Sequence, residues 1–418
     1  MRPRTRRSYR HIAVGYVTSA RVFGSPRRGK GGAHGEDHVL RTHRHAAYRK
    51  GRQCHLIEPM KYSLVIIVLI VLGALAFWQF QNRSFPLPSG ETTVLTEQDV
   101  FAGSEDLADG QEGLSPPNSE VRTMRTQREI FLTDGVKHSI PLREILSGGP
   151  GKDGIPSIDN PKFWTRAEAD ATLAGSDIGL GLEYKGEARF YPFRILVWHE
   201  IVNDTVAGDP LLVTYCPLCQ TGIVFERRVN GQEQEFGVSG MLWQSNLLMY
   251  NRAPRTEDES LWSQVLGEAV LGPNTGEKLR IVTSDIVRWD DWKRVHPNTV
   301  VLNTETGASR NYARDPYGDY YTSNSVSFGA TFRDDRLHPK ALVVGVELGG
   351  RQKAYHVDAL PVGSITDTVG GHAVEVAKDS AGRVRVTSGG EEVPAVWGFW
   401  FSWIAVHPHT DIFIGENL

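Results

Sequence analysis

Two cysteines three residues apart, Cys216-Pro217-Leu218-Cys219, are the side chains best suited to chemistry. The chain has three cysteines, and Cys54 lies in an N-terminal leader. A strand-like run, Leu211 to Tyr215, feeds the pair, and Thr221-Gly222 with Ile223-Val224-Phe225 follows it. The pattern predicts a tight β-turn rather than a helix start. Three chemistries fit. As exchanging thiols, Cys216 and Cys219 are the catalytic redox candidates, because a short Cys-x-x-Cys ring is strained and labile. No helix start is expected here to lower a thiol pKa in the thioredoxin manner. As thiolate ligands, the pair needs companions, of which His199 and Met241 lead. A closed zinc site takes four ligands. Thiolates with a thioether or imidazole favour copper(I) over magnesium or calcium. The cofactor expectation is therefore copper or zinc. As a static clasp the pair stabilises little, since the loop is short. The clasp goes with a non-enzymatic ligand-binding module holding a structural disulfide.

Other polar residues flank the pair. His199-Glu200 could supply a ligand or an acid/base, and Asp204 reads as a turn residue accepting backbone N–H bonds. Downstream, Ser239, Ser245, Asn246, Tyr250, Arg252, Trp262 and Gln264 mix polar and aromatic groups as a pocket floor does, with Glu200 joining them. No glycines flank Ser245 or Ser263 as a nucleophile elbow requires. The dinucleotide fingerprint, P-loop and H-E-x-x-H patterns are missing as well.

The elements that must position these residues are mainly strands. Short β-branched and aromatic runs alternate with Gly, Asn and Asp turns from residue 126. Helical pattern is confined to about 165–175, 193–202 and 285–295. The fold class expected is α+β and β-rich. The body also repeats. Glu183-Tyr184-Lys185-Gly186, Tyr191, Leu196, Asp204-Thr205-Val206-Ala207-Gly208 and Val213 return as Glu347-Leu348-Gly349-Gly350, Tyr355, Leu360, Asp367-Thr368-Val369-Gly370-Gly371 and Val376. Trp289-x-x-Trp292-x-x-Val295-His296-Pro297 returns as Trp400-x-x-Trp403-x-x-Val406-His407-Pro408. Two related units from an internal duplication follow, and the shared Trp and His residues read as scaffold. The offset falls from 164 to 111 residues between these blocks, so the first unit carries about 53 more. Residues 239–252 and 260–264 lie in that excess. The position matching the cysteines is Asp379-Ser380-Ala381-Gly382, so the sulfur chemistry sits in one unit alone.

Charge divides the chain. Residues 1–62 carry 15 Lys/Arg and 3 Asp/Glu, which leaves 31 basic and 46 acidic residues for 63–418. So acidic a body makes nucleic acid an unexpected partner. Ser63 to Phe80 is uncharged and long enough to span a bilayer core as one N-terminal transmembrane helix. Basic residues precede it, which places the body outside the cytoplasm, in the periplasm or at the cell surface. Ala74-Leu75-Ala76 offers the alternative of signal cleavage and secretion. The expected organisation is a basic leader over 1–62 with Met60 as a candidate true start, an anchor or signal over 63–80 and a flexible linker over 81–125. A first β-rich unit with the Cys-x-x-Cys and the insert then covers 126–340, and a second covers 341–418. Expected partners are the membrane, through that anchor, and a small-molecule ligand or redox partner.

Several motifs stand together in order: Asp153-Gly154-Ile155-Pro156-Ser157-Ile158-Asp159-Asn160-Pro161, Tyr191-Pro192, Trp198-His199-Glu200, Asn203-Asp204, Thr214-Tyr215-Cys216-Pro217-Leu218-Cys219, Ser239-Gly240, Met249-Tyr250, Ser260-Leu261-Trp262-Ser263-Gln264 and His296-Pro297. In these the chain resembles the bacterial and archaeal family called domain of unknown function 3179, over about residues 126–415. The resemblance implies no activity. Two positions depart from the family pattern: Gln220 stands where Gly is usual after the second cysteine, and Asn251 stands where Asp is usual.

Overall fold

The computed structural model describes residues 85, 87–95, 128–331 and 334–415. The chain divides into two units, Met1–Gly73 and Ala74–Leu418, and every described residue lies in the second. The expected leader and the Ser63–Phe80 anchor lie outside the described residues. Among the described residues no helix is long and apolar enough to cross a membrane.

Strands dominate, and the tightest turns explain their pairing. Lys185-Gly186, Ala207-Gly208, Gly349-Gly350 and Gly370-Gly371 each take positive φ at both positions. That is the two-residue hairpin turn whose twist matches paired strands. The hairpin Ile178–Tyr184 with Glu187–Pro192 is flanked by Asp285–Arg288 on one side and, in parallel, by Val300–Leu302 on the other. The hairpin Leu342–Leu348 with Arg351–His356 is flanked alike by Ala395–Phe399 and, in parallel, by Asp411–Phe413. A second sheet repeats the likeness. Ile201–Val206, Asp209–Cys216 and Thr221–Glu226 run antiparallel in the first half, as Gly363–Val369, His372–Lys378 and Val384–Ser388 do in the second. Strand by strand, the sheets are consistent with a duplicated β-rich unit.

The repeated Trp helices occupy equivalent places. Helix Trp289–Val295 buries Trp292, whose Nε1 donates to Thr299 Oγ1 at 2.9 Å. Helix Trp400–Val406 buries Trp403, whose Nε1 donates to Thr410 Oγ1 at 3.0 Å. His296 and His407 lie against these indoles with ring centroids 3.9 and 4.2 Å away. Both blocks are scaffold, held by the same side-chain bond.

The residues in excess build a third layer. Phe236–Trp243, Asn246–Asn251, Leu261–Ser263 and Glu268–Leu271 form an antiparallel sheet whose outer strands come from residues 92–147, with Ile145–Ser147 at one edge and Thr92–Leu95 at the other. That edge corrects the sequence expectation: Thr92–Leu95, read as spacer, pairs with Ile130–Thr133. The helical reading over 193–202 also shrinks, to the single turn Phe193–Leu196, because Ile201 already pairs with Thr214.

Candidate functional site

Cys216 is the last residue of its strand and pairs across to Thr221. Between them Pro217–Cys219 form one turn of 3-10 helix, and Gln220 takes φ 50°. Pro217 suits the first position of such a turn because it has no N–H to satisfy. The expected β-turn is thus a wound turn, closed by a left-handed residue that a glycine would occupy without strain. Thr221 Oγ1 donates to the Cys219 carbonyl at 3.1 Å and fastens the exit.

Both thiols are free and buried. They are not walled in by apolar atoms. As thiols, Cys219 donates to the Ser245 carbonyl at 3.2 Å and Cys216 stands 3.9 Å from the same oxygen. Asn246 Nδ2 donates to Cys219 Sγ at 3.5 Å. The Ser402 side chain lies near Cys219, and the backbone of Leu247 and Cys219 approaches Cys216. The two sulfurs share a hydrogen bond. Burial pushes the Cys216 thiol up, and its bond to Cys219 adds to this. Burial also works upward on Cys219, but the neighbouring Cys216, Ser402 and Asn246 groups outweigh it and hold that thiol down. The pair is electrostatically uneven, with Cys219 the readier to ionise.

Glu200 lies beside Cys216. Burial, then the charge of Cys216, pushes its carboxyl well up and favours its protonated form. Its backbone holds φ 59°. The second half has Gly363 at this point, with φ 121°. A left-handed non-glycine costs energy, and such residues gather at functional sites.

Residues 303–331 roof the pair and belong to neither repeat. Tyr320 Oη donates to the Leu218 carbonyl at 3.0 Å, Ser245 Oγ reaches the Ser327 carbonyl, and Thr331 N donates to Gln244 Oε1 at 2.7 Å. Burial, followed by the nearby Glu200 and cysteine charges, raises the Tyr317 hydroxyl pKa. Sequence reasoning missed Tyr317 and Tyr320 because the stretch has no strand or helix period. It missed Ser402 because that residue comes from the second half.

The expected ligand set does not assemble. His199 Nδ1 donates to the Pro156 carbonyl at 2.7 Å, which leaves Nε2 to accept from Tyr312 Oη at 2.7 Å. Burial favours the neutral ring. Met241 shares the apolar cluster of the cysteines, with its backbone N bonded to Ser239 Oγ. Among the described residues no group of three or more His, Cys, Asp or Glu side chains stands ready for a metal.

The expected pocket divides in two. Glu200, Ser245, Asn246 and Gln264 surround the sulfurs. Tyr250 and Arg252 instead fasten the Asp153–Asp159 segment. Tyr250 Oη donates to Asp153 Oδ2, while Arg252 donates to Asp159 Oδ2 and Ser157 Oγ, each at 2.7 Å. Burial works upward on Asp159, but bonds from Arg252 and Asn203 hold its carboxyl down. Ser239 sits at a register shift between Val238 and Met241. Trp262 is core, its Nε1 donating to Asn251 Oδ1 at 3.0 Å. Asn251 also accepts from Ser260 N at 2.9 Å, so its amide oxygen is a tie between strands. Asp204 is a strand residue, not a turn residue. It accepts from Arg189, Tyr191 Oη and Thr205 N.

No curated protein and no solved structure matches the chain. A family model does match over residues 152–390, which takes in the cysteine turn, the excess residues, the roof and most of the second half. The chain therefore belongs to the family described as protein of unknown function, DUF3179.

Proposed function

We propose that Cys216 and Cys219 are a dithiol–disulfide redox centre carried outside the cytoplasm by an N-terminal membrane anchor. On oxidation two S–H bonds break and one S–S bond forms, and two electrons and two protons reduce a partner disulfide to two thiols. One observation carries the reading: two free thiols, three residues apart and with the Asn246 amide donating to one of them, stand in one of two corresponding turns. Buried thiols without such donors would be inert.

The test equilibrates the full chain with reduced and oxidised dithiothreitol and counts free thiols by alkylation and mass. A reversible loss of both thiols at Cys216 and Cys219 supports the proposal. Thiols that never pair, or a disulfide that resists reduction, overturn it, and the second result leaves a clasp within a ligand-binding module.

A soft-metal site is the second reading. The backbone of Leu247 and Cys219, which works toward the Cys216 thiolate, favours it, since such groups also stabilise metal thiolates. With two sulfurs and, among the described residues, no third His, Cys, Asp or Glu grouped with them, copper(I) suits the site better than zinc. Copper at one equivalent in anaerobically purified protein, lost in Cys216→Ser, supports this reading, and metal-free protein sinks it.

A further inference from the structure

We infer that Asn246 and Gln264 form a fixed amide relay that holds an N–H donor on Cys219 and thereby favours the dithiol over the disulfide. The inference rests on the redox reading above and adds the residues that set its equilibrium.

Backbone groups dictate the orientation of both amides. Gln264 Nε2 lies 3.1 Å from the Thr221 carbonyl, which only accepts, and 3.0 Å from Thr214 Oγ1. Thr214 Oγ1 in turn donates to the Ile223 carbonyl at 2.8 Å, so it accepts from Gln264. Gln264 must therefore turn Oε1 toward Asn246, whose Nδ2 donates to it at 2.9 Å. The Val265 N–H, which only donates, reaches Asn246 Oδ1 at 3.0 Å. With its oxygen taken and one amide hydrogen on Gln264, Asn246 has a single hydrogen left, and it points at Cys219 Sγ. Reversing either amide would set N–H against N–H or oxygen against oxygen.

Asn246 and Gln264 are at most 1% exposed, so water does not compete for these bonds. A thiol or thiolate sulfur accepts an N–H better than a disulfide sulfur does, so the donor stabilises the reduced pair. In the exchange, a partner dithiol forms its own S–S bond, the Cys216–Cys219 bond breaks, and the two protons of the partner pass to the two cysteines.

The test measures the dithiothreitol ratio at which half of the full chain is oxidised. Asn246→Ala is expected to make the disulfide about tenfold more favoured, a shift of about 30 mV to more reducing potential. Gln264→Met keeps the volume and frees the Asn246 amide, with a smaller shift of the same sign. Asn251→Ala removes another buried amide that touches neither sulfur, and its ratio should stay within twofold of wild type. If Asn246→Ala does not fold, Asn246→Asp keeps the Val265 bond, removes the amide donor, and takes its place with the same expected sign. A folded Asn246 variant within twofold of wild type overturns the relay, as does an equal shift in Asn251→Ala. A wild-type chain with no reversible disulfide fails earlier and overturns the redox reading instead.

Discussion

The turn at 216–220 and the turn at 379–383 close corresponding hairpins, yet they contain opposite chemistry. In the first, two thiols are buried under Ser245, Asn246, Ser402 and a roof of tyrosines. In the second, Asp379 satisfies itself, its carboxylate accepting from Ala381 N, Arg383 N and Arg383 Nε. Nothing in the second turn needs cover. The hairpin is a neutral frame, and the chemistry comes from two changed side chains plus the residues in excess that remove them from water. Glu200 against Gly363 makes the same point. The frame asks for positive φ in both halves, and only the first half accepts the strain of a side chain there.

The largest expected effect probes the shared aspartate. Asp204 is buried with Arg189 at 2.6 Å and Tyr191 Oη at 2.6 Å. Asp204→Ala leaves the largely buried Arg189 with Glu187 alone and takes the partner from the buried Tyr191 hydroxyl, and should cost about 3 kcal/mol in denaturant unfolding. Its partner, Asp367→Ala, removes a wetter pair with Lys353 and should cost about 1–2 kcal/mol. Equal costs would show that the halves are not buried to different depths.

The repeated histidines should separate by pH. Burial, then the charges of Arg128 and Lys278, holds His407 down to about 3. Its unfolded form takes a proton near 6.5, so between these values the unfolded state binds more protons. Stability falls as pH falls through that window, by about 2–3 kcal/mol from pH 6 to pH 4 for this group. His407→Phe should flatten the wild-type slope by that amount. His296 is also lowered, first by burial, but Glu183 pulls it back up, so His296→Phe should flatten the slope less.

The scaffold glycines should behave as equals. A Cβ at Gly181 would fall 2.4 Å from the Trp292 ring, and one at Gly345 would fall 2.4 Å from the Trp403 ring. Gly181→Ala and Gly345→Ala should each lower stability by about 1–3 kcal/mol. A wide gap in melting between the two would break the correspondence of the halves. The smallest effect concerns the turn itself. Gln220→Gly relieves φ 50° and should raise stability by about 0.5–1 kcal/mol in the same assay.

The repeat was legible because its signals are local. Lys185-Gly186 and Gly349-Gly350 announce their turns, and Trp-x-x-Trp with a following His-Pro fixes a helix and its end. The sulfur turn was legible for the same reason. Ser245, Asn246 and Gln264 were found as a polar group in the excess residues, although Trp262, read with them, proved to be core. His199 was misread because adjacency along a chain does not give direction. The backbone turns sharply at Glu200, so the carboxyl comes within electrostatic reach of Cys216 while the imidazole is tied to Pro156 and Tyr312. Thr92–Leu95 was misread because four residues amid a polar stretch form a strand only when a partner edge is present.

By itself the sequence determined the strand-rich character, the doubled frame and the placement of both thiols in one half. Hairpin turns, alternation and a Cys-x-x-Cys spacing all follow from neighbours within a few residues. The tertiary structure decided which groups face the sulfurs. The tyrosines of 303–331, Ser402 and the Asn246–Gln264 relay arrive from distant parts of the chain. Sequence spacing is silent about such meetings, since packing brings them about and backbone carbonyls and amides fix how each side chain points.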